Sequence, residues 1–273
     1  MKEQGPFQGQ RFTGSTGMKA IFLSDAHLKG TADPAHLRLI RFFSKLRARG
    51  AGDGRTESDE RLTADQLVIA GDFFDFWFAR GAVIYPGFRP MVERIATLKG
   101  QGIRVSLCEG NHDFFLEDYF SGRLGLDVYP EWAEFTIDGL RILVSHGDTI
   151  DRGNRKYLAL RALLRSSFAR LLERLLPLPL LWRVSRLSSE MSKGMSDESA
   201  DRLSGIMHDF ARVKFRQGYD AVILGHCHKP LLRQEMIDGR KKTFATLGDW
   251  ITHDSYLHYA DGSFSLNRFA PDE

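Results

Sequence analysis

Five short runs in this sequence each end in a cluster of Asp, Asn and His. Lys19 to Ser24 leads into Asp25-Ala26-His27, Gln66 to Ala70 into Gly71-Asp72, and Ile103 to Leu107 into Gly110-Asn111-His112-Asp113. Leu140 to Val144 leads into His146-Gly147-Asp148, and Asp220 to Leu224 into Gly225-His226-Cys227-His228. Short apolar runs bounded by turn signals read as buried strands. Open α/β sheets keep their ligand crevices outside the carboxyl ends of strands, where these clusters fall. A carboxylate there, beside Phe73-Phe74 and Phe76-Trp77, is a poor structural residue unless positive charge meets it. Taken singly, Asp25 reads as a helix N-cap, His146 and His226 as core histidines, and Asp75 as a surface charge. Five such clusters at five strand ends point instead to one shared metal site.

The order of elements predicts an α/β protein. A helix is expected over Pro34 to Arg49, with Asp33 as N-cap and Pro34 at the first helical position. A second helix is expected over about Gly87 to Gln101, so the first three strands form a parallel sheet. Asp138-Gly139, Asp238-Gly239 and Asp261-Gly262 separate alternating runs and read as hairpin turns. Between the fourth and fifth cluster-bearing strands, residues 152 to 217 hold no strand-like run and read as helical, broken near Pro177 and Pro179. The expected organisation is a catalytic domain over 18–151 and 218–273, in two β layers covered by helices, with 152–217 as an inserted cap. Residues 1–17 read as a loose tail, Met18 being an alternative start, and 50–64 as a Gly-rich charged loop.

A mixed Asp/Asn/His donor set without thiolates suits hard or borderline divalent cations. It fits a binuclear hydrolytic site, which needs no covalent Ser or Cys nucleophile. The two cysteines, Cys108 and Cys227, form no disulfide framework and fit a reducing compartment. With no signal peptide and no apolar run of about 18 residues, the chain is expected in the cytoplasm.

In order, these five clusters resemble the motifs of the calcineurin-like metallophosphoesterases. That resemblance implies a double β-sandwich flanked by helices. Leu23-Ser24-Asp25-Ala26-His27-Leu28, Phe76-Trp77, His146-Gly147-Asp148-Thr149 and Leu247-Gly248-Asp249-Trp250 are similar to the UDP-2,3-diacylglucosamine hydrolases of lipid A synthesis. So are Tyr157 and Arg161, at that family's spacing after His146. The resemblance implies two divalent cations, manganese first and iron or zinc as alternatives. One would sit on Asp25, His27, Asp72 and His228, the other on Asp72, Asn111, His146 and His226, with Asp72 shared. It implies that His112 serves the leaving group or the transferring phosphoryl group, oriented by Asp75, and that Asn111, Tyr157 and Arg161 meet substrate. The implied reaction splits the pyrophosphate of the lipid-linked nucleotide sugar into UMP and the lipid 1-phosphate. Two departures stand out: Ile150-Asp151-Arg152-Gly153-Asn154 replaces a Leu-Cys-Thr-Asp-Asp-like run, and His112 stands where bacterial members often carry Arg.

Charge is concentrated in the insertion. Residues 152 to 193 hold ten Lys or Arg and two Glu, a net of +8 in a chain of +3. Tyr157, Leu160, Leu164, Phe168, Leu171 and Leu175 would share one face of a helix over Tyr157 to Leu176, with Arg161 and Arg165 at its edge and Arg170 and Arg174 opposite. Such a cap is a candidate for contact with anionic lipid or nucleotide, and for peripheral contact with the inner face of a membrane through Leu180, Leu181 and Trp182; the alternative is a helix packed on the domain with solvated arginines. On this reading the cap selects substrate, and the sheet loops alone build the metal site. Three other functions compete: a phosphodiesterase or phosphatase on a soluble nucleotide, a non-catalytic scaffold, and a nuclease. A scaffold has no use for buried uncompensated carboxylates. No nucleic-acid partner is expected, because the basic residues lack interleaved stacking aromatics.

Overall fold

The computed structural model describes residues 17–48, 62–191 and 197–270. The tail expected over 1–17, apart from Gly17, and most of the loop expected over 50–64 lie outside these residues.

Two sheets face each other. The first has six strands in the order β11-β10-β1-β2-β3-β4: β1 (Ala20–Leu23), β2 (Gln66–Ala70), β3 (Arg104–Cys108), β4 (Asp127–Tyr129), β10 (Ser255–Ala260) and β11 (Ser263–Arg268). The second has the order β5-β6-β7-β9-β8: β5 (Trp132–Ile137), β6 (Leu140–Ser145), β7 (Ala221–Leu224), β8 (Pro230–Ile237) and β9 (Arg240–Leu247). β1 to β4 are parallel, as are β6, β7 and β9. Their carboxyl ends therefore gather at one end of the sandwich.

Because both faces of the central strands are covered, most of their residues are apolar, Gln66 and Ser106 being buried exceptions. Ala20, Phe22, Val68 and Ala70 point between the sheets, against Phe135, Val144, Ile223 and Ala245. Ile21, Leu23, Leu67 and Ile69 point the other way. There they pack under α1 (Pro34–Lys45) and α2 (Arg89–Gly100). The outer face of the second sheet is covered by α7 (Asp197–Arg216), through Leu203, Met207, Ala211 and Phe215. The result is a four-layer α/β/β/α sandwich.

Several boundaries differ from the sequence expectation. α1 stops at Lys45 because Leu46 turns extended and Arg47 bridges to Thr63. The Gly87–Gln101 helix is α2 preceded by a separate 3-10 turn over Pro86–Phe88. A short helix, α3 (Glu117–Phe120), and the edge strand β4 carry no periodicity long enough to read. The three hairpin aspartates all take left-handed backbone, with φ near 50°, as a type I′ turn demands.

The insertion departs furthest. One helix over Tyr157–Leu176 is in fact two, α4 (Arg155–Leu164) and α5 (Ser167–Leu175). Ser166 separates them by capping α5, its hydroxyl accepting the Ala169 N–H at 3.1 Å. α6 (Leu178–Met191) follows the expected break at Pro177. Of the segment 152–217, α7 thus lies on the sandwich, and only α4 to α6 lie beside the strand ends. No helix among the described residues is long and apolar enough to cross a membrane.

Candidate metal centre

The exits of β1 and β2 stay paired beyond the strands. Asp25 N–H donates to the Gly71 carbonyl, His27 N–H to that of Asp72, and Leu28 N–H to that of Phe73, at 3.0–3.1 Å. This fixes Asp25, His27 and Asp72 relative to one another. Asp113 fixes the third exit. Its buried carboxylate accepts the N–H groups of Asp72, Phe73, Phe74 and Gly110 at 2.8–3.1 Å.

Asp25, His27, Asp72, His226 and His228 all have positive φ, between 43° and 68°. Non-glycine residues reach that region at a cost, of order 1–3 kcal/mol each, and such strain collects at functional sites. Three glycines let the exits approach. A Cβ on Gly71 would lie 2.7 Å from that of His146, one on Gly110 2.1 Å from Asp72 Oδ1, and one on Gly225 2.7 Å from Asp25 Oδ2.

The side chains converge in three groups, two of which share His27. Asp25, His27 and His228 offer atoms within 4.8 Å of one another, and so do His27, Asp75 and His112, and Asp72, His146 and His226. His228 Nε2 lies 3.4 Å from Asp25 Oδ1, and His27 Nε2 lies 3.9 Å from the same oxygen and 3.7 Å from Asp72 Oδ2. His146 Nε2 lies 3.3 Å from Asp72 Oδ2 and 3.0 Å from Asn111 Oδ1, while its Nδ1–H donates to the Ala70 carbonyl at 3.2 Å. Asp72 thus belongs to the group with His146 and also approaches His27 of the other two.

Charge shows what this arrangement requires. Asp25 and Asp72 are buried. Burial pushes the Asp72 carboxyl up, but the His146 and His112 imidazoles and the His146 hydrogen bond outweigh it and hold it well below the usual range. Burial pulls His146 down, yet Asp72 and Asp25 overcome this and raise it to about 10. Burial raises the Asp25 carboxyl, so the His146 imidazole alone does not balance the two buried carboxylates. His27 and His226 are pulled by burial to about 3 and about 4 and stay neutral donors. His27 Nε2 is buried without a hydrogen-bond partner. Buried carboxylates, neutral imidazoles and an orphaned ring nitrogen fit divalent cations.

His112 sits beside the first group, its ring edge-on to His27 at 4.8 Å. Its Nδ1–H donates to the backbone carbonyl of Asp75 at 3.2 Å. The expected orienting contact is thus made by the Asp75 main chain, while the Asp75 carboxylate lies 3.9 Å from His27 Nδ1. Burial lowers the His112 pKa, but the Asp72 carboxylate and the Asp75 carbonyl and carboxylate outweigh it, and the net shift is upward.

Tyr157 and Arg161, expected against substrate, are engaged inside the protein. Both donate to Asp148 Oδ2, at 2.8 and 2.5 Å, and Arg161 also reaches Glu131 at 3.2 Å. Trp182, expected at a membrane, turns inward: its indole N–H meets the Phe78 carbonyl and its ring packs on Tyr85. Sequence reasoning gave no role to Glu109 or Asp249. Asp249 accepts the N–H groups of Ile251, Thr252 and His253, and lies 3.8 Å from His228 Nδ1. Its place after the apolar Phe244-Ala245-Thr246-Leu247 run was the available signal, the same one that marked the other exits.

The family model for calcineurin-like phosphoesterases matches residues 18–230. The UDP-2,3-diacylglucosamine hydrolase of Vibrio cholerae serotype O1 (strain ATCC 39315 / El Tor Inaba N16961) is 28% identical over 246 residues, 89% of this chain and 95% of the relative. That of Proteus mirabilis (strain HI4320) is 26% identical over 92% of this chain and 99% of the relative. Among solved structures, Vacuolar Protein Sorting 29 from Cryptosporidium parvum aligns at a TM-score of 0.41 and 14% identity, over 92% of this chain and 96% of that one. That likeness carries no further argument.

Proposed function

The chain belongs to the calcineurin-like phosphoesterase family, and from that premise we propose that it hydrolyses the pyrophosphate bond of UDP-2,3-diacylglucosamine or a close lipid-linked nucleotide sugar. The products would be UMP and the lipid 1-phosphate. The observation that carries the substrate is the match, over 89–92% of this chain, to hydrolases named for it.

Asp25, His27, Asp72 and His228 would hold one divalent cation, and Asp72, Asn111, His146 and His226 a second, manganese being the first to test. Such a pair supplies Lewis-acid neutralisation of phosphoryl oxygens and makes water nucleophilic near neutral pH. Asp113 and the paired exits keep these ligands from separating, which limits reorganisation during reaction. With Nδ1–H held by the Asp75 carbonyl, His112 has Nε2 left to give a proton to the leaving oxygen or to face its charge.

The lipid part of the proposal rests on α4 to α6 as a cap. Leu160, Leu163, Leu164, Phe168, Leu171, Leu172, Leu175 and Leu180 are exposed there, close in sequence to the exposed cations Arg152, Arg155 and Lys156. An apolar surface bordered by cations suits acyl chains and an anionic membrane face. One observation favours a second reading, a phosphodiesterase or phosphatase on a soluble nucleotide: Arg161 is already spent on Asp148 and Glu131.

Manganese-reconstituted protein assayed in one detergent buffer against UDP-diacylglucosamine, UDP-sugars and bis-p-nitrophenyl phosphate separates the two. Release of UMP mainly from the lipid nucleotide supports the first reading. Equal or better turnover of the soluble substrates overturns it in favour of the second.

A further inference from the structure

We infer that Arg165, at the end of the first cap helix, is a positioning residue of the metal centre: it holds the loop that carries Asn111 and His112. The guanidinium crosses from α4 to the exit of β3. Nη1 donates to Glu109 Oε2 at 2.9 Å and to the Pro130 carbonyl at 3.2 Å, and Nη2 donates to the Gly110 carbonyl at 2.7 Å. The guanidinium carbon also lies 5.3 Å from the centre of the Phe114 ring.

Glu109 brackets the loop from both ends. One carboxylate oxygen meets Arg165, and the other accepts the Leu116 N–H at 2.8 Å. Both side chains are shielded, Arg165 13% and Glu109 4% exposed. A charge-assisted pair away from water is stronger than a surface one and is costly to half-remove. Within the bracket, His112 N–H is fixed on Asp72 Oδ1 at 2.8 Å, and Asn111 Oδ1 on His146 Nε2 at 3.0 Å. Gly110, whose carbonyl Arg165 holds, lies so close to Asp72 that a methyl would not fit. A shift at Gly110 therefore moves Asn111 relative to His146, and His112 relative to Asp72.

Arg165 is not placed to read substrate. Three of its four terminal N–H groups go to oxygens of the protein, and Nε is buried away from solvent without a partner. The cap thereby completes the metal centre's frame, and the sheet loops do not build it alone. The inference rests on the family's metal centre but not on the identity of the substrate.

The test compares Arg165→Met, Arg165→Lys and the double variant Arg165→Met/Glu109→Gln, which removes the stranded carboxylate, with wild type. Metal-free proteins are titrated with Mn2+ by calorimetry. Amide exchange of the 109–116 segment is followed by mass spectrometry before metal is added. Wild type should take up two equivalents. In Arg165→Met the equivalent that Asn111 helps to hold should loosen about tenfold or more, the scale of one charge-assisted contact, with the other unchanged, so that one of the two affinities moves. Exchange at 109–116 should quicken, and Arg165→Lys should recover part of both effects. On bis-p-nitrophenyl phosphate, kcat should fall with KM unchanged.

Wild-type affinities at both sites in the double variant would overturn the inference. So would equal weakening of both sites, which marks a merely structural role, or a change in KM alone, which marks a substrate contact. If Arg165→Met does not fold, the Lys and double variants carry the same comparison. Two-equivalent uptake by a wild-type protein that leaves UDP-diacylglucosamine intact would defeat the proposed substrate and leave this inference standing.

Discussion

Gly110→Ala isolates the close packing of strand exits from every other effect of losing a glycine. A Cβ at Gly110 would lie 2.1 Å from Asp72 Oδ1 and 2.3 Å from Asp72 N, where carbon contacts settle near 3.5–4 Å. The exits of β2 and β3 must then separate by about 1 Å or more. Overpacking of that kind costs about 1–3 kcal/mol. The movement also strains the buried bonds from His112 N–H to Asp72 and from Gly110 N–H to Asp113, each worth about 1 kcal/mol. The expected loss is about 3–5 kcal/mol. At roughly 2–4 °C per kcal/mol for a domain of this size, the melting midpoint should fall by about 6–20 °C. Two controls divide the cause. Gly139→Ala meets nothing within 4 Å but sits at φ +82°, so it should lose only the left-handed preference, about 1 kcal/mol. Gly100→Ala meets nothing and ends a helix, so its midpoint should hold or rise slightly. Calorimetric Mn2+ titration should find two equivalents in both controls and fewer in Gly110→Ala. Two equivalents and a midpoint within about 2 °C of wild type in Gly110→Ala would refute the packing argument.

His112→Ala should keep both manganese ions and lose turnover by roughly 10²–10⁴-fold, the scale of a positioned acid or base; collapse of metal content by elemental analysis would make it a ligand instead. Chelation should lower the melting midpoint, and Mn2+ at about 100 times its Kd should restore about 2.7 kcal/mol, since Asp25 and Asp72 are buried; an unchanged midpoint would mean that no buried charge is being compensated. Arg161→Ala should strand the shielded Asp148 carboxylate, cost about 3 kcal/mol in urea unfolding and reduce turnover of lipid nucleotide and artificial diester alike; a selective loss on the lipid substrate would return Arg161 to substrate binding.

The sandwich was legible because its strands obey one rule. Strands buried on both faces are mostly apolar, so the metal-type residues stand out where each run stops, and the parallel order of the strands brought Asp25, His27, Asp72, Asn111, His146, His226 and His228 to one end. Turn chemistry placed the hairpins equally well, since Asp-Gly pairs answer a backbone demand that few residues meet. Surface elements were less legible. α3 and β4 are too short to have a period, and α1 ends early because a bridge to Thr63, distant in sequence, competes for Arg47.

The cap was misread for a more specific reason. A basic stretch with leucines at helical spacing shows which residues share a face, but not whether the other face meets water or acidic side chains of the core. Ser166 was a visible cap signal, yet an unbroken leucine period concealed it. Once the helix breaks there, Arg161 meets Asp148 and Glu131, Arg165 meets Glu109, and Arg170 meets Asp118. Arg80 closes the far end by donating to the Glu173 and Leu176 carbonyls. Three of the ten cations in residues 152–193, Arg161, Arg165 and Arg170, therefore join the cap to the core. Among the described residues, the exposed leucines of α4 and α5, Leu180 of α6, and Arg152, Arg155, Lys156 and Arg183 remain available to a lipid. The portion facing the strand exits is committed to holding them in place.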